Sequence, residues 1–244
     1  MQSPTSSRLV SRIDAMLVNF ADAAVDPLWK NLNLELRRGE FIAVLGPNGV
    51  GKSTFLGTIL GTRKLTSGTV SVGARLGYIP QQQMFPDLPL RARDLVSLAA
   101  EHRVFRRGHR AEVDALLERV GATGLADRRV GKLSGGQQQL IRQAQALAMK
   151  PQVLLADEPL LSLDPGVQQR TVRLFGELKA EGVAQIVITH DINPFLGLID
   201  RILYLAPHGH TLGRMNEVMQ SDRLSELYDA QVTVAHINDR IVVV

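Results

Sequence analysis

At 244 residues, 45% hydrophobic and 21% charged, the chain has the balance of a globular protein with a real core, either one large domain or a domain with a sub-domain. It has no cysteine, which excludes disulfides and thiolate metal sites and suits a cytosolic protein. The net charge of +4 is compatible with a membrane surface or nucleic acid and decides neither. No run of 18 apolar residues exists to span a bilayer. The opening MQSPTSSR is polar, unlike a secretory signal, and reads as a disordered tip over 1–8, ahead of a single domain over 9–244.

Strands are expected over 13–19 and 32–36, the second because Leu32, Leu34 and Leu36 alternate with Asn33 and Glu35. Arg37-Arg38-Gly39 turns the chain into Phe41–Leu45, an apolar run long enough for one buried strand. Gly46, Pro47, Asn48, Gly49, Val50, Gly51, Lys52, Ser53 and Thr54 follow, with the spacing G-x-x-x-x-G-K-S of a phosphate-binding loop. The glycines allow a tight backbone whose N–H groups can face an anion. Lys52 brings a mobile cation to the outer phosphates, and Ser53 a hydroxyl to Mg²⁺. A helix over about 52–60 would aim its positive end at the same phosphates.

After the turn-rich 61–68, short strands are expected at Val70–Val72 and Leu76–Ile79, so 9–80 forms a β-rich part. Pro80 stops the last of these, and the character changes to helical over 82–150. Leu95, Val96, Leu98 and Ala99 suggest one helix. A basic loop at 102–110 carries Arg103, Arg106, Arg107 and Arg110, and the reading given to it is a solvated loop. Glu112–Val120 suggests a second helix, ended by Gly121. After Leu133-Ser134-Gly135-Gly136-Gln137 comes a helix with Leu140, Ile141, Ala144, Leu147 and Ala148 on one face. The rest, 151–244, holds strands at Val153–Ala156, Gln185–Thr189, Arg201–Leu205 and 240–244, and helices near 167–180 and 223–228. Strands alternating with helices imply an α/β fold with a mostly parallel sheet.

At this point the residues match a family. The chain resembles the ATP-binding subunit of ABC transporters over essentially its whole length. The matches are GPNGVGKST at 46–54, YIPQ at 78–81, LSGGQ at 133–137, VLLADEP at 153–159, SLD at 162–164 and THD at 189–191. The resemblance implies a P-loop (RecA-like) core, an N-terminal antiparallel β sub-domain and an inserted α-helical sub-domain. It also implies ATP and Mg²⁺ as ligands. Asp157, at a strand end, would hold Mg²⁺ through water, and Glu158 would polarise the attacking water as general base. Gln81 would reach Mg²⁺ and the water; Gln82 and Gln83 are adjacent, and Pro80 favours Gln81. His190 would contact the γ-phosphate and Asp164 would act between subunits. Ser134, Gly135, Gly136 and Gln137 would cap the ATP held by a second copy, which implies a head-to-tail homodimer with ATP at the interface.

One departure stands out. The family usually stacks adenine on an aromatic residue about two dozen residues before the phosphate loop, and the count lands near Ala23. Either Phe20 stacks on the base, or adenine is held weakly and Phe20 belongs to the core. The resemblance further implies integral membrane permease subunits, an extracytoplasmic substrate-binding protein acting indirectly, and a peripheral place on the cytoplasmic face of the cell membrane. The stretch 81–98, with Phe85, Leu88 and Leu90, would form a groove for a permease helix. The texture of LPLRARDLVSLA, THDINPFLGLIDRILYLA and the tail is similar to the zinc, manganese or iron importer branch. The pair His208 and His210 lacks the further ligands a closed metal site needs. Transport of another solute is the alternative. A soluble cassette acting on ribosomes or DNA would usually carry two cassettes or a long insertion, and no nucleic-acid partner is expected.

Overall fold

The computed structural model describes residues 16–81, 88–100, 110–237 and 240–243. The elements in chain order are β1 (Met16–Val25), β2 (Trp29–Arg37), β3 (Phe41–Leu45), α1 (Lys52–Ile59), β4 (Ser67–Val72), β5 (Leu76–Ile79), α2 (Ala92–Ala99) and α3 (Arg110–Arg119). They continue with α4 (Gly135–Ala148), β6 (Val153–Asp157), α5 (Pro165–Ala180), β7 (Ala184–Ile188), β8 (Arg201–Ala206), β9 (Gly209–Gly213), α6 (Met215–Val218), α7 (Ser221–Tyr228), β10 (Val234–Ile237) and β11 (Arg240–Val243). Two units emerge, one from Met1–Ala74 with Ala184–Val244 and one from Arg75–Val183.

In the first unit, β3 lies between β7 and β8 and is parallel to both, and β9 returns antiparallel to β8. All five residues of β3 and of β7 are buried, which is why these strands read as continuous apolar runs. A separate antiparallel sheet has the order β2-β1-β4. There β2 keeps its alternation, with Leu32, Leu34 and Leu36 inward and Asn33 and Glu35 outward. β1 runs past 19, to Val25. Register shifts around Ala23, with Asp22 at φ 45°, let the strand continue through ADAA, where alternation fails. Phe20 stacks on Phe55 of α1 with ring centroids 5.1 Å apart, and Trp29 stands edge-on to both. Farther along, Ile241 of β11 joins Tyr204, Val218, Met219 and Leu224 in a second apolar cluster.

In the second unit, β5 and β6 are parallel, with Ile79 opposite Ala156. A Cβ on Gly77 would come 2.7 Å from the carbonyl oxygen of Ala146, so β5 lies close against α4. Ile141 and Ala144 of α4 are fully buried and Leu140, Leu147 and Ala148 nearly so. Burying a side chain the size of Ile141 contributes about 1.5–3 kcal/mol. α3 is followed by Val120 and a left-handed Gly121 at φ 73°, where the Ala122 N–H closes on the carbonyl of Leu117 at 2.7 Å. Arg110 is the first residue of that helix and faces Asp114 at 3.8 Å. The expectations for 1–8, for the start of the strand at 13–15, for Gln82, Gln83 and Phe85, and for Arg103, Arg106 and Arg107 lie outside the described residues. The expected α/β class is found: parallel pairs dominate outside the N-terminal antiparallel sheet.

Candidate active site

β3 delivers the chain into the loop at Gly46. Three of its glycines hold backbone angles that L side chains rarely adopt: Gly46 at φ 135°, Gly49 at 87° and Gly51 at 94°. At two of them space is refused as well. A Cβ on Gly46 would lie 2.0 Å from the Leu205 carbonyl oxygen, and one on Gly51 would lie 2.8 Å from Leu28 Cδ1. Val50 is buried and pins the loop from below, while Asn48 and Gly49 face solvent. Gly51 is the N-cap of α1, and no acidic residue stands in the first turn to neutralise the positive helix end. Lys52 bends back over the loop and donates to the carbonyl oxygens of Gly46 and Pro47, both at 2.7 Å. Ser53 is exposed and Thr54 half-buried beside it. A tight glycine loop, a helix N-terminus and an ammonium in one place suit a polyanion.

His190 follows β7, the parallel neighbour of β3. The Thr189 N–H donates to the Val44 carbonyl at 3.3 Å, so His190 and Gly46 leave the sheet at the same carboxyl-terminal edge. Both, with Pro47, line a cavity of about 470 Å³. Ligand sites in parallel sheets gather at this edge.

The second unit repeats that arrangement with acids and amides. Gln81 is exposed just past β5, and Asp157 is the last residue of β6, with 5% of its surface exposed. Burial, and then the charge of Asp157, push the Tyr78 phenol above its usual range. Glu158 takes a left-handed φ of 49° directly before Pro159. A non-glycine residue held so costs on the order of 1–3 kcal/mol, and extended backbone is the ordinary choice before proline. Ser134 caps α4: its hydroxyl accepts from the Gln137 N–H at 3.3 Å and the Gln137 side chain accepts from the Ser134 N–H at 3.1 Å. Gly135 and Gly136 form the first turn, and the missing side chain of Gly136 faces Leu163. Next to Leu163, Asp164 caps α5 by accepting from the Val167 N–H at 3.1 Å, ahead of Pro165. The Ser134–Gln137 turn and Asp164 are therefore neighbours within one unit.

Phe20 is 1% exposed and Ala23 fully buried, so the ring of Phe20 belongs to the core and is closed to a base. Two features around the loop and His190 escaped the sequence. Leu28 and Trp29 pack against Gly51, and the one signal available was that Trp29 is the sole tryptophan. The other is the run Thr189-His190-Asp191-Ile192-Asn193, knotted by its own side chains. His208 is exposed in the turn after β8, and His210 is half-buried in β9 and held below its usual pKa by that burial.

A buried strand, a glycine-built loop and a helix N-terminus carrying Lys52 are the parts of a nucleotide-binding class of α/β protein. Residues 29–161 match the model of the ABC transporter family. The chain is 34% identical to the zinc import ATP-binding protein ZnuC of Marinobacter nauticus, over 91% of this chain and 84% of that protein. It is 32% identical to the manganese transport system ATP-binding protein MntB of Bacillus subtilis, over 85% and 88%. Its fold matches cbiO1 of Clostridium perfringens, part of the ABC transporter complex cbiONQ, with a TM-score of 0.73 at 26% identity, covering 87% of this chain and 94% of that one. The chain belongs to the ABC transporter family, as one of its ATP-binding ATPases.

Proposed function

We propose that this chain is the ATP-hydrolysing subunit of a membrane importer for a divalent metal ion: zinc, manganese or iron. The observation that carries the nucleotide part is the loop Gly46–Thr54, with glycines that only glycine can replace and Lys52 bent over it. The cargo rests on the relatives named for zinc import and manganese transport.

In this reading the loop N–H groups and the α1 terminus bind the phosphates of ATP, and Lys52 exchanges its two carbonyl partners for phosphate oxygens. Ser53, Gln81 and Asp157 would hold Mg²⁺. Their hydroxyl, amide and carboxylate oxygens are the hard donors this ion takes, and the ion neutralises charge as the phosphoryl group is transferred. Glu158 accepts the proton of the attacking water, and its strained backbone holds the carboxylate just past the end of β6. His190 contacts the γ-phosphate. Ser134, Gly135, Gly136 and Gln137 close on ATP held by a second copy, and Asp164 works across the same interface, in a head-to-tail homodimer. No helix among the described residues is long and apolar enough to cross a membrane. As in the transport systems its relatives are named for, the subunit works at the cytoplasmic face of the cell membrane with integral permease subunits, which meet it along 81–98, and an extracytoplasmic binding protein acts on the permease.

Glu158→Gln and Lys52→Ala together test this. Glu158→Gln keeps ATP binding while turnover falls by roughly 10²–10⁴. Lys52→Ala loses binding or turnover. Undiminished ATPase activity in either variant contradicts the assigned role.

A further inference from the structure

Asn193 joins two parts of the first unit that are 48 residues apart. Its side-chain amide treats Ile241 as a neighbouring strand would: Oδ1 accepts from the Ile241 N–H at 2.8 Å, and Nδ2 donates to the Ile241 carbonyl at 3.2 Å. The same Nδ2 donates to Asp191 Oδ1 at 2.7 Å, and the Asn193 N–H donates to that oxygen at 2.9 Å. The Asp191 N–H in turn donates to Thr189 Oγ1 at 3.1 Å, and that hydroxyl donates to the Asp191 carbonyl at 2.9 Å. His190 sits in the middle of this chain of bonds, and the Thr189 N–H ties it to β3.

The far end is anchored too. The Ser221 hydroxyl accepts from the Val234 N–H at 2.9 Å, and the Ser225 hydroxyl accepts from the Val232 N–H at 2.9 Å, so α7 holds the start of the tail hairpin. Ile241 is buried against Met219 and Leu224. Val242 and Val243 line the same cavity as Gly46, Pro47 and His190.

We infer that Asn193 is a positioning residue for ATP hydrolysis: by clamping the C-terminal strand β11 it fixes the backbone that carries His190. The inference rests on the role assigned to His190 above. A peptide-like pair of hydrogen bonds has one register, so the tail sets one position for the 189–193 segment. Without the clamp that segment loses a wall and samples positions in which the imidazole is misplaced, while the phosphate loop is untouched.

The test is ATPase activity of the full chain with Asn193→Ala, alone and combined with His190→Ala, beside ATP affinity and thermal stability. The expected result is a kcat about tenfold lower with ATP affinity within about twofold, and no further loss when His190 is already Ala, as in a coupled pair. Removing residues 240–244, which takes away the partner strand and leaves Asn193 intact, gives the same pattern and serves if Asn193→Ala fails to fold. An unchanged kcat in Asn193→Ala, with His190→Ala impaired, overturns this inference alone. An equal loss in both backgrounds overturns it as well, because the effect then bypasses the histidine. Full activity in His190→Ala overturns the role of the histidine and this inference with it.

Discussion

The indole nitrogen of Trp29 lies 3.2 Å from the point where a Cβ on Gly51 would stand, so the hairpin between β1 and β2 closes off the side of the phosphate loop. Gly51 is held at φ 94°, and Leu28 Cδ1 lies nearer still to that point, at 2.8 Å. Gly51→Ala must therefore distort the N-cap of α1, at a cost of about 1–2 kcal/mol from the left-handed backbone before any clash. ATP affinity should drop at least about tenfold. Trp29 is the only tryptophan, so its fluorescence follows the loop. MgATP should change the emission of the parent protein and leave Gly51→Ala unmoved at the same concentration. Equal titration curves would contradict the assignment.

Ser134 has two jobs that substitutions can separate. As N-cap of α4 it satisfies the Gln137 N–H, and Ser134→Ala should cost about 1 kcal/mol of stability. Its proposed contact with the partner's ATP is tested by Ser134→Arg, which should leave ATP binding to the single chain nearly intact and block turnover. In permease complexes assembled from Ser134→Arg and Lys52→Ala chains, one site carries both lesions and the other neither. Equal poisoning of both sites would argue against a contact in trans.

His210 makes stability depend on pH in a calculable direction. Burial lowers its pKa in the folded chain, while the unfolded chain keeps the ordinary value near 6.5. Between those two values the unfolded state binds more protons, so stability is present above the unfolded pKa and is lost as pH falls. Melting temperature should drop as pH falls through about 6.5, the unfolded value, and His210→Asn should flatten part of that slope. A slope unchanged by the substitution would remove His210 as its source.

The elements with strong local patterns were legible in the sequence. Phe41–Leu45 is apolar throughout and became a strand buried on both faces, and Leu140, Ile141, Ala144, Leu147 and Ala148 marked α4. β9 was not, because GHTLG has a glycine at each end and buries only Thr211. It is a strand because β8 supplies its partner. β10 and α6 were missed for the same reason, since short segments are held by what they pack on. The left-handed backbone of Glu158 could not be foreseen, for glutamate carries no preference for it. Nor could the clamp of Asn193 on Ile241, which is a contact between distant residues. Phe20 was open to two readings, and burial against Phe55 decided for the core.

The central claim is that ATP hydrolysis by this chain drives uptake of a divalent metal. It is measured most directly as cellular zinc, manganese and iron under metal limitation, in cells lacking the gene and supplied with either the parent chain or Glu158→Gln. The account predicts that one of these metals falls on deletion, returns with the parent chain, and stays low with Glu158→Gln. Unchanged metal content with a defect in another solute, or full restoration by Glu158→Gln, would contradict it.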